Sequence, residues 1–330
     1  MGREFMRTKV GVLLVMLVAV AFGMTLLFAQ TSKKKAKSSK AKTTVVSKAK
    51  ADSIAATAKA DSLRKVAQAK AVADSIRRAD SLAKVAADSL KMFKWRKIEN
   101  KAFGVGERLV FDVSYGPITA GEAVMAVPGF ETIAERNCYR VEFTVNSLPT
   151  FDWIYEVRDR YLTFVDAEAI APLRFEQHIR EGTYKRDFTA DFDQVNHVAK
   201  TTEGNYPIPE YVHDIMSAFY YARMLDYSTI KVGEGIKLFN FYKDRSHELT
   251  VKFLGRQELE VGAGTFNTIV VEPLVKEGGL FKAEGRIVIW LTDDERKIPI
   301  RVNTKVVIGS IDTELREYSG LAGPLKSRIK

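Results

Sequence analysis

The feature that constrains this chain most is RIVIWLTDDERKIPIRVNTKVVIGSIDTEL, residues Arg286 to Leu315. It reads as strand, turn, strand. Ile287, Ile289 and Leu291 share one face of the first strand, while Val288 and Trp290 occupy the other. A strand apolar on both faces needs cover on both. Thr292 to Lys297 is polar and turn-like. Pro299 has no N–H for a ladder, so it opens or edges the next strand. Ile300 to Ile308 then alternates again.

The same grammar occurs earlier. LTFVDAEAIAPLRF, Leu162 to Phe175, sets Asp166, Glu168, Pro172 and Arg174 at the spacing of Asp293, Glu295, Pro299 and Arg301. The offset is about 127 residues, and it also relates Val105-Gly106-Glu107 to Val232-Gly233-Glu234, Tyr115 to Tyr242 and Gly182 to Gly309. The matching residues are turn formers and strand ends, which fix backbone geometry. A duplicated set of β-hairpins is expected, with Asp166-to-Arg174 superimposing on Asp293-to-Arg301.

Between these landmarks the strand pattern is nearly continuous. Leu109, Phe111, Val113 and Tyr115 alternate with polar residues, as do Val141, Phe143 and Val145, and Leu249, Val251 and Phe253. Pro207 and Pro209 break the series. Tyr211 to Leu225 reads as the one helix, with Asp214 near its positive end. Short strands with a single helix predict an all-β fold: an antiparallel β-barrel or half-barrel, internally duplicated, with one covering helix.

The N-terminal third differs. Arg3, Arg7 and Lys9 precede an uncharged apolar run, Val10 to Phe28, so residues 1–29 read as an export signal or an uncleaved N-terminal membrane anchor. Residues 30–50 form a basic linker with little to bury and should be disordered. In residues 51–101 Ala-Asp-Ser recurs at Ala51, Ala60, Ala73, Ala79 and Ala87, with Ala and Lys between and no Gly or Pro. This reads as a solvated helical spacer, a weak coiled coil or a flexible linker. The β domain then covers 102–319, and 320–330 is a short basic tail.

Charge is divided along the same lines. Gln30 to Lys101 carries a net charge of about +14, and Ala102 to Lys330 about −6, within an overall +10. The basic character belongs to the tail, which argues against nucleic acid as the domain's partner. It favours anionic membrane or cell-wall polymer as the partner of residues 31–50.

Chemistry is sparse. The single cysteine, Cys138, reads as a small buried hydrophobe. His178, His197, His213 and His247 have no metal-ligand spacing. His213-Asp214 reads as a helix-surface histidine beside a first-turn acid, and Arg158-Asp159-Arg160 as a surface charge run. Asp293-Asp294-Glu295 reads as a solvated turn, without the ligand periodicity of a calcium loop. Neither cofactor nor metal is expected, and no catalytic residue is assigned.

FGVGERLVFDVSYGPITAGEA, HDIMSAFYYAR, GTFNTIVVEP and IVIWLTDDERKIPIRV together resemble the exported bacterial family known as domain of unknown function 3108. The family carries no activity to transfer. The strand–turn–Pro ending with Trp290 and Arg301 is also similar in style to periplasmic lipoprotein carriers. That second resemblance implies an incomplete antiparallel barrel, capped by helices and enclosing acyl chains. The expected function is therefore a non-catalytic cell-envelope binding protein for a lipid or acyl chain, exported to the periplasm or tethered to the inner membrane. The alternatives are a scaffold module presented to an envelope protein partner and, with less support, an envelope hydrolase.

One further expectation concerns the site. Under the duplication FDWIY, Phe151 to Tyr155, corresponds to GGLFK, Gly278 to Lys282. Both place large apolar side chains between strands. Phe151, Trp153, Ile154, Leu280 and Phe281, with Trp290, are thus candidates for a ligand- or membrane-binding lip. The opposing expectation is that they plug the core.

Overall fold

The computed structural model describes residues 67–81, 84, 93–275, 286–306 and 309–329. The chain divides into two units, one of residues 27–94 and one containing residues 95–330. In the first, residues 67–81 are helical and exposed on every side. Two serines of the Ala-Asp-Ser repeats bond backwards instead of capping. Ser75 Oγ donates to the Val72 carbonyl at 2.7 Å, and Ser81 Oγ to that of Arg78 at 2.9 Å. This lets serine sit inside a helix despite its modest propensity. The apolar run Val10 to Phe28 and the basic linker lie outside the described residues. No helix among the described residues is long and apolar enough to cross a membrane.

The second unit is built from fourteen strands: β1 (Arg108–Tyr115), β2 (Ile118–Ile133), β3 (Arg136–Ser147), β4 (Arg158–Asp166), β5 (Pro172–Glu181), β6 (Tyr184–Asp193), β7 (Val198–Thr201), β8 (Gly204–Pro207), β9 (Gly235–Tyr242), β10 (Arg245–Val261), β11 (Gly264–Val275), β12 (Ile287–Thr292), β13 (Pro299–Lys305) and β14 (Ser310–Ser319). All pair antiparallel in one sheet, ordered β8 through β1 and then β14 through β9. The fold is thus the expected antiparallel, barrel-like sheet. It is unclosed, since β8 and β9 are its two edges.

The expected duplication is visible in the pairing. β1 to β6 and β9 to β14 are two six-stranded meanders, joined where β1 pairs with β14. Leu109 opposes Met125 as Ile236 opposes Val251. Both second strands are bulged, between Ala126 and Gly129 and between Phe253 and Gly255. Pro172 faces Val165 beside a bulge, and Pro299 faces Leu291 beside another. In each turn a residue with positive φ precedes the proline by two positions, Ile170 at 50° and Lys297 at 42°. The turn-organising carboxylate is offset by one residue from the sequence alignment. Asp166 Oδ1 accepts from the amides of Glu168 and Ala169, and Asp294 Oδ1, rather than Asp293, from those of Arg296 and Lys297. Asp294 is therefore a structural turn residue, held also by Ser327 through Oδ2.

Between the repeats lie the hairpin β7–β8, which the prolines hid from sequence reading, and the helix Ile215–Ala222. The helix is shorter than Tyr211 to Leu225. The reason is that His213 is committed to β9: its amide bonds the Phe239 carbonyl, and its carbonyl accepts from the Phe241 amide. Helix side chains meet both repeats, so the sheet wraps around the helix. Met216 and Tyr220 join a core cluster drawn from both repeats, including Phe143 and Phe175 of the first and Phe266 and Ile300 of the second, and Ala218 joins a cluster of the second repeat. The two sheet edges meet through side chains, with Phe192 and Tyr206 each against Phe241 at centroid distances of 5.8 and 6.1 Å.

The border of this unit is wider than 102–319. Trp95 packs with Ile133 on the outer cluster of Cys138, Leu162, Phe164 and Leu173. Arg96 donates to the carbonyls of Ala169 and Ile170. At the other end Asn267 and Ile329 bond the backbone of Ser327 and Thr265. Cys138 is fully buried, and burial pushes its thiol up to about 12.

Candidate functional site

The helix is held at both ends by buried polar groups. Asp214 is its N-cap. One carboxylate oxygen accepts from the amides of Met216 and Ser217, and the other from Thr163 Oγ1 at 2.7 Å and Ser217 Oγ at 2.8 Å. Burial raises its pKa, and these hydrogen bonds work against that rise. Four donors leave the carboxylate well satisfied without an external ligand. Arg223 follows the last turn. Its guanidinium grips Glu107 through two bonds of 2.6 and 2.8 Å and also reaches the carbonyls of Ala102 and Arg296. Both side chains are completely buried. Burial would lower the guanidinium pKa, but the Glu107 charge outweighs it and holds it above its usual value. Isolated burial of either charge would be costly, so the pair fixes the helix in one position only while both members are present.

Between this fixed helix and the second repeat the packing is incomplete. Ile215, Ala218, Phe219 and Ala222 face Leu249, Val251, Pro273, Ile287, Val302 and their apolar neighbours across a partly open cavity. It contains about 680 Å³ of empty space with its mouth included, of which about 60 Å³ is wide enough for the centre of a water molecule. None of its twelve lining residues has a polar side chain. Water therefore finds no partner there, and an apolar guest is the favoured occupant. The cavity exists because of side-chain volume. At matching register positions the first repeat has Met125, Phe143, Tyr161 and Phe175 where the second has Val251, Pro273, Ile287 and Val302.

Of the residues singled out from sequence, the four that are described do not line this cavity. Trp153 follows the short helix Pro149–Asp152 in the β3–β4 connection. It is 70% exposed, with Nε1 donating to the Thr150 carbonyl. Phe151, in contrast, packs against the main core, and Ile154 is half-buried. Leu280 and Phe281 lie outside the described residues. Trp290 sits on the face of β12 opposite Ile289 and Leu291. It lines an outer, partly polar depression of about 770 Å³ with its mouth included, roomier than the apolar cavity, beside Arg256, Arg286 and Lys305, with the Arg301 guanidinium 5.9 Å from its ring. The cavity residues were named as core strands by their alternation, but nothing in that alternation distinguishes a filled face from an unfilled one.

Two readings of charged residues need correction. His213 is not on a helix surface: it is buried, 4.7 Å from the Tyr221 ring, and burial together with Arg96 pushes it down to about 3. His213 Nδ1 lies 3.3 Å from Ser217 Oγ, yet Asp214 bonds the serine and not the histidine. That is the wrong order for a triad, in which the acid orients the imidazole. Asp159 is likewise not part of a surface run. It is 2% exposed and faces inward beside Glu181, also 2% exposed. Burial raises the pKa of both carboxyls, and for Glu181 the Asp159 charge raises it further. Like charges in one buried site favour holding a proton between them. The pair stands where the β3–β4 connection meets β5. There Gly182 donates to the Glu156 carbonyl at 2.8 Å, and Tyr155 Oη donates to the Glu181 carbonyl at 3.0 Å.

No curated protein matches the sequence. Among solved structures, the chain is similar to a β-barrel-like protein of domain of unknown function DUF1849 from Brucella abortus, at 12% identity and a TM-score of 0.45, covering 66% of this chain and 98% of that one. It is also similar to a protein classed as a lipoprotein from Parabacteroides distasonis, at 11% identity and a TM-score of 0.31, covering 69% and 100%. A third, classed as exported and with a YmcC-like fold, comes from Bacteroides fragilis. It has 13% identity and a TM-score of 0.26, again covering 69% and 100%. The family described as protein of unknown function (DUF3108) matches residues 110–316, most of the two meanders. The chain belongs to the DUF3108 family.

Proposed function

We propose that this protein is a non-catalytic binding protein of the cell envelope that holds a lipid or acyl chain in the cavity between the helix and the second repeat. The observation that carries this reading is the cavity's wholly apolar lining. Each methylene buried there is worth about 0.8 kcal/mol, so even a short stretch of chain gives measurable affinity. The narrow interior suits a single chain entering along its length, with a polar head left at the mouth. The N-terminal apolar run supports export, with the run either removed or kept as an inner-membrane tether. The basic segment 31–50 then suits an anionic membrane or cell-wall surface.

The test is extraction of the purified full chain, with mass spectrometry of the extract, followed by titration with a fluorescent acyl probe. Stoichiometric lipid and saturable probe binding are expected. Val251→Phe, which fills the cavity, should abolish probe binding while changing stability by no more than about 1–3 kcal/mol. A clean extract with no probe binding would overturn the reading. An envelope protein that co-purifies in its place would favour the scaffold alternative.

A further inference from the structure

Strand pairing determines which connections share an end of the sheet. Gly121 pairs with Ser147, Asn146 with Arg158 and Glu181 with Tyr184. The β1–β2 turn, the β3–β4 connection and the β5–β6 turn therefore lie at one end. Tyr115 pairs with Ile311, and Lys305 with Ser310, which brings the β13–β14 connection to the same end and with it the last residues of β11 and the first of β12.

Among the described residues, that end exposes four large apolar side chains from four separate segments. They are Ile118 at 52%, Trp153 at 70%, Tyr184 at 44% and Leu274 at 41%. The cavity reaches the same end, because Leu249, Pro273 and Ile287 lie close to the ends of their strands there. The opposite end also exposes Val105, Phe130, Val232 and Ile329. It differs in two respects. Its interior is sealed by Arg223, Glu107 and the Arg296 carbonyl, and its one exposed aromatic ring, Phe130, lies against Tyr139 at 4.8 Å. Indole and phenol side chains suit the boundary between head groups and hydrocarbon, since one part is apolar and the other hydrogen-bonds.

We propose that the end bearing Ile118, Trp153, Tyr184 and Leu274 docks on a lipid bilayer, with Trp153 and Tyr184 at the level of the head groups. An acyl chain then passes between bilayer and cavity without crossing water, a consequence that rests on the ligand reading above. The docking itself does not. Apolar anchors on four separate segments orient the domain as well as attracting it.

Because Cys138 is buried, a nitroxide attached to one introduced cysteine reports a single site. Labels at Ile118→Cys, Tyr184→Cys and Leu274→Cys should be compared with labels at Val105→Cys and Val232→Cys. Each is made in the full chain and mixed with vesicles of phosphatidylcholine and phosphatidylglycerol. The first three should lose collisions with a water-soluble nickel reagent several-fold and gain collisions with oxygen, while the last two stay as in free protein. This site-by-site depth is independent of how the basic segment or the N-terminal run holds the chain to the vesicle. Equal water exposure at all five sites, or immersion of Val105→Cys and Val232→Cys instead, would overturn the proposal. Immersed end labels together with a lipid-free extract would uphold docking and remove only the transfer step.

Discussion

The two repeats share topology, bulges and proline-initiated turns, yet the cavity lined wholly by apolar side chains lies against the second. In the first, Phe143 lies 5.9 Å from Tyr161 and Phe175 6.5 Å from Phe188, and the space left beside Phe175 and Phe188 is a smaller, partly polar cavity of about 440 Å³ with its mouth included, bordered also by Asp214 and Asn240. In the second, Pro273, Ile287 and Val302 occupy matching positions and leave room against the same helix. The outer faces differ as well. Phe164 of the first repeat is buried in a cluster against which Trp95 packs, while Trp290, its counterpart by register, is only half-buried. The lesson is that a duplicated backbone need not duplicate its packing. Side-chain volume can open a cavity in one copy where rings stand at the matching positions of the other, because close packing leaves no slack to hide a missing ring.

The contrast makes graded predictions. The largest effect should come from the filled repeat. Phe143→Ala should cost about 3–5 kcal/mol in chemical denaturation, since the ring's space cannot collapse against a fixed helix. Ile287→Val, at the unfilled counterpart, should fall at or below about 1 kcal/mol, because space is already present beside it. Equal losses per methylene removed would mean that the two faces are packed alike, and the comparison would fail.

A smaller effect concerns protons, which only the first repeat buries as a pair. Burial, reinforced by Asp159, pushes the Glu181 carboxyl up to about 8. The folded protein thus holds this proton more tightly than the unfolded chain does. Its contribution to stability is complete below about pH 4, the ordinary carboxylate range, and is lost as pH rises through about 8. Glu181→Gln keeps a neutral group and should remove that loss. At pH 9 the variant should exceed the parent by on the order of 2 kcal/mol. Parallel stability–pH curves for the two proteins would show that the pair carries no linked proton. Tyr155, Tyr161 and Arg180 are the other charged or titratable groups facing the pair.

The smallest effect is expected at Trp153. Its exposure places it outside the core, so Trp153→Ser should move stability by less than about 0.5 kcal/mol. Phe151→Ser, two residues away but packed on the core, should cost measurably more. A large loss at Trp153 would show that the connection plugs the first repeat after all, and the difference between a filled interior and an apolar rim would disappear.

Much of this molecule was decided along the chain. Alternation of apolar and polar residues gave the strands, since a pleated strand sends successive side chains to opposite faces. Prolines and acids at fixed spacing marked the two equivalent turns, and the offset of about 127 residues marked the duplication. Asp214 was legible as an acid near the positive end of the helix, although the apolar pattern began the helix too early, at Tyr211 rather than Ile215. What alternation cannot express is what lies across from a face. Only the tertiary structure placed the helix inside the sheet, joined β1 to β14 and left β8 and β9 as edges. It buried Arg223 on Glu107, 116 residues away in the chain, and turned Asp159 from an apparent surface charge into a buried neighbour of Glu181. It also set Val251, Ile287 and Val302 around empty space. A cavity is the mismatch between surfaces brought together from distant segments, and each segment by itself looks the same whether its neighbour fills the gap or not.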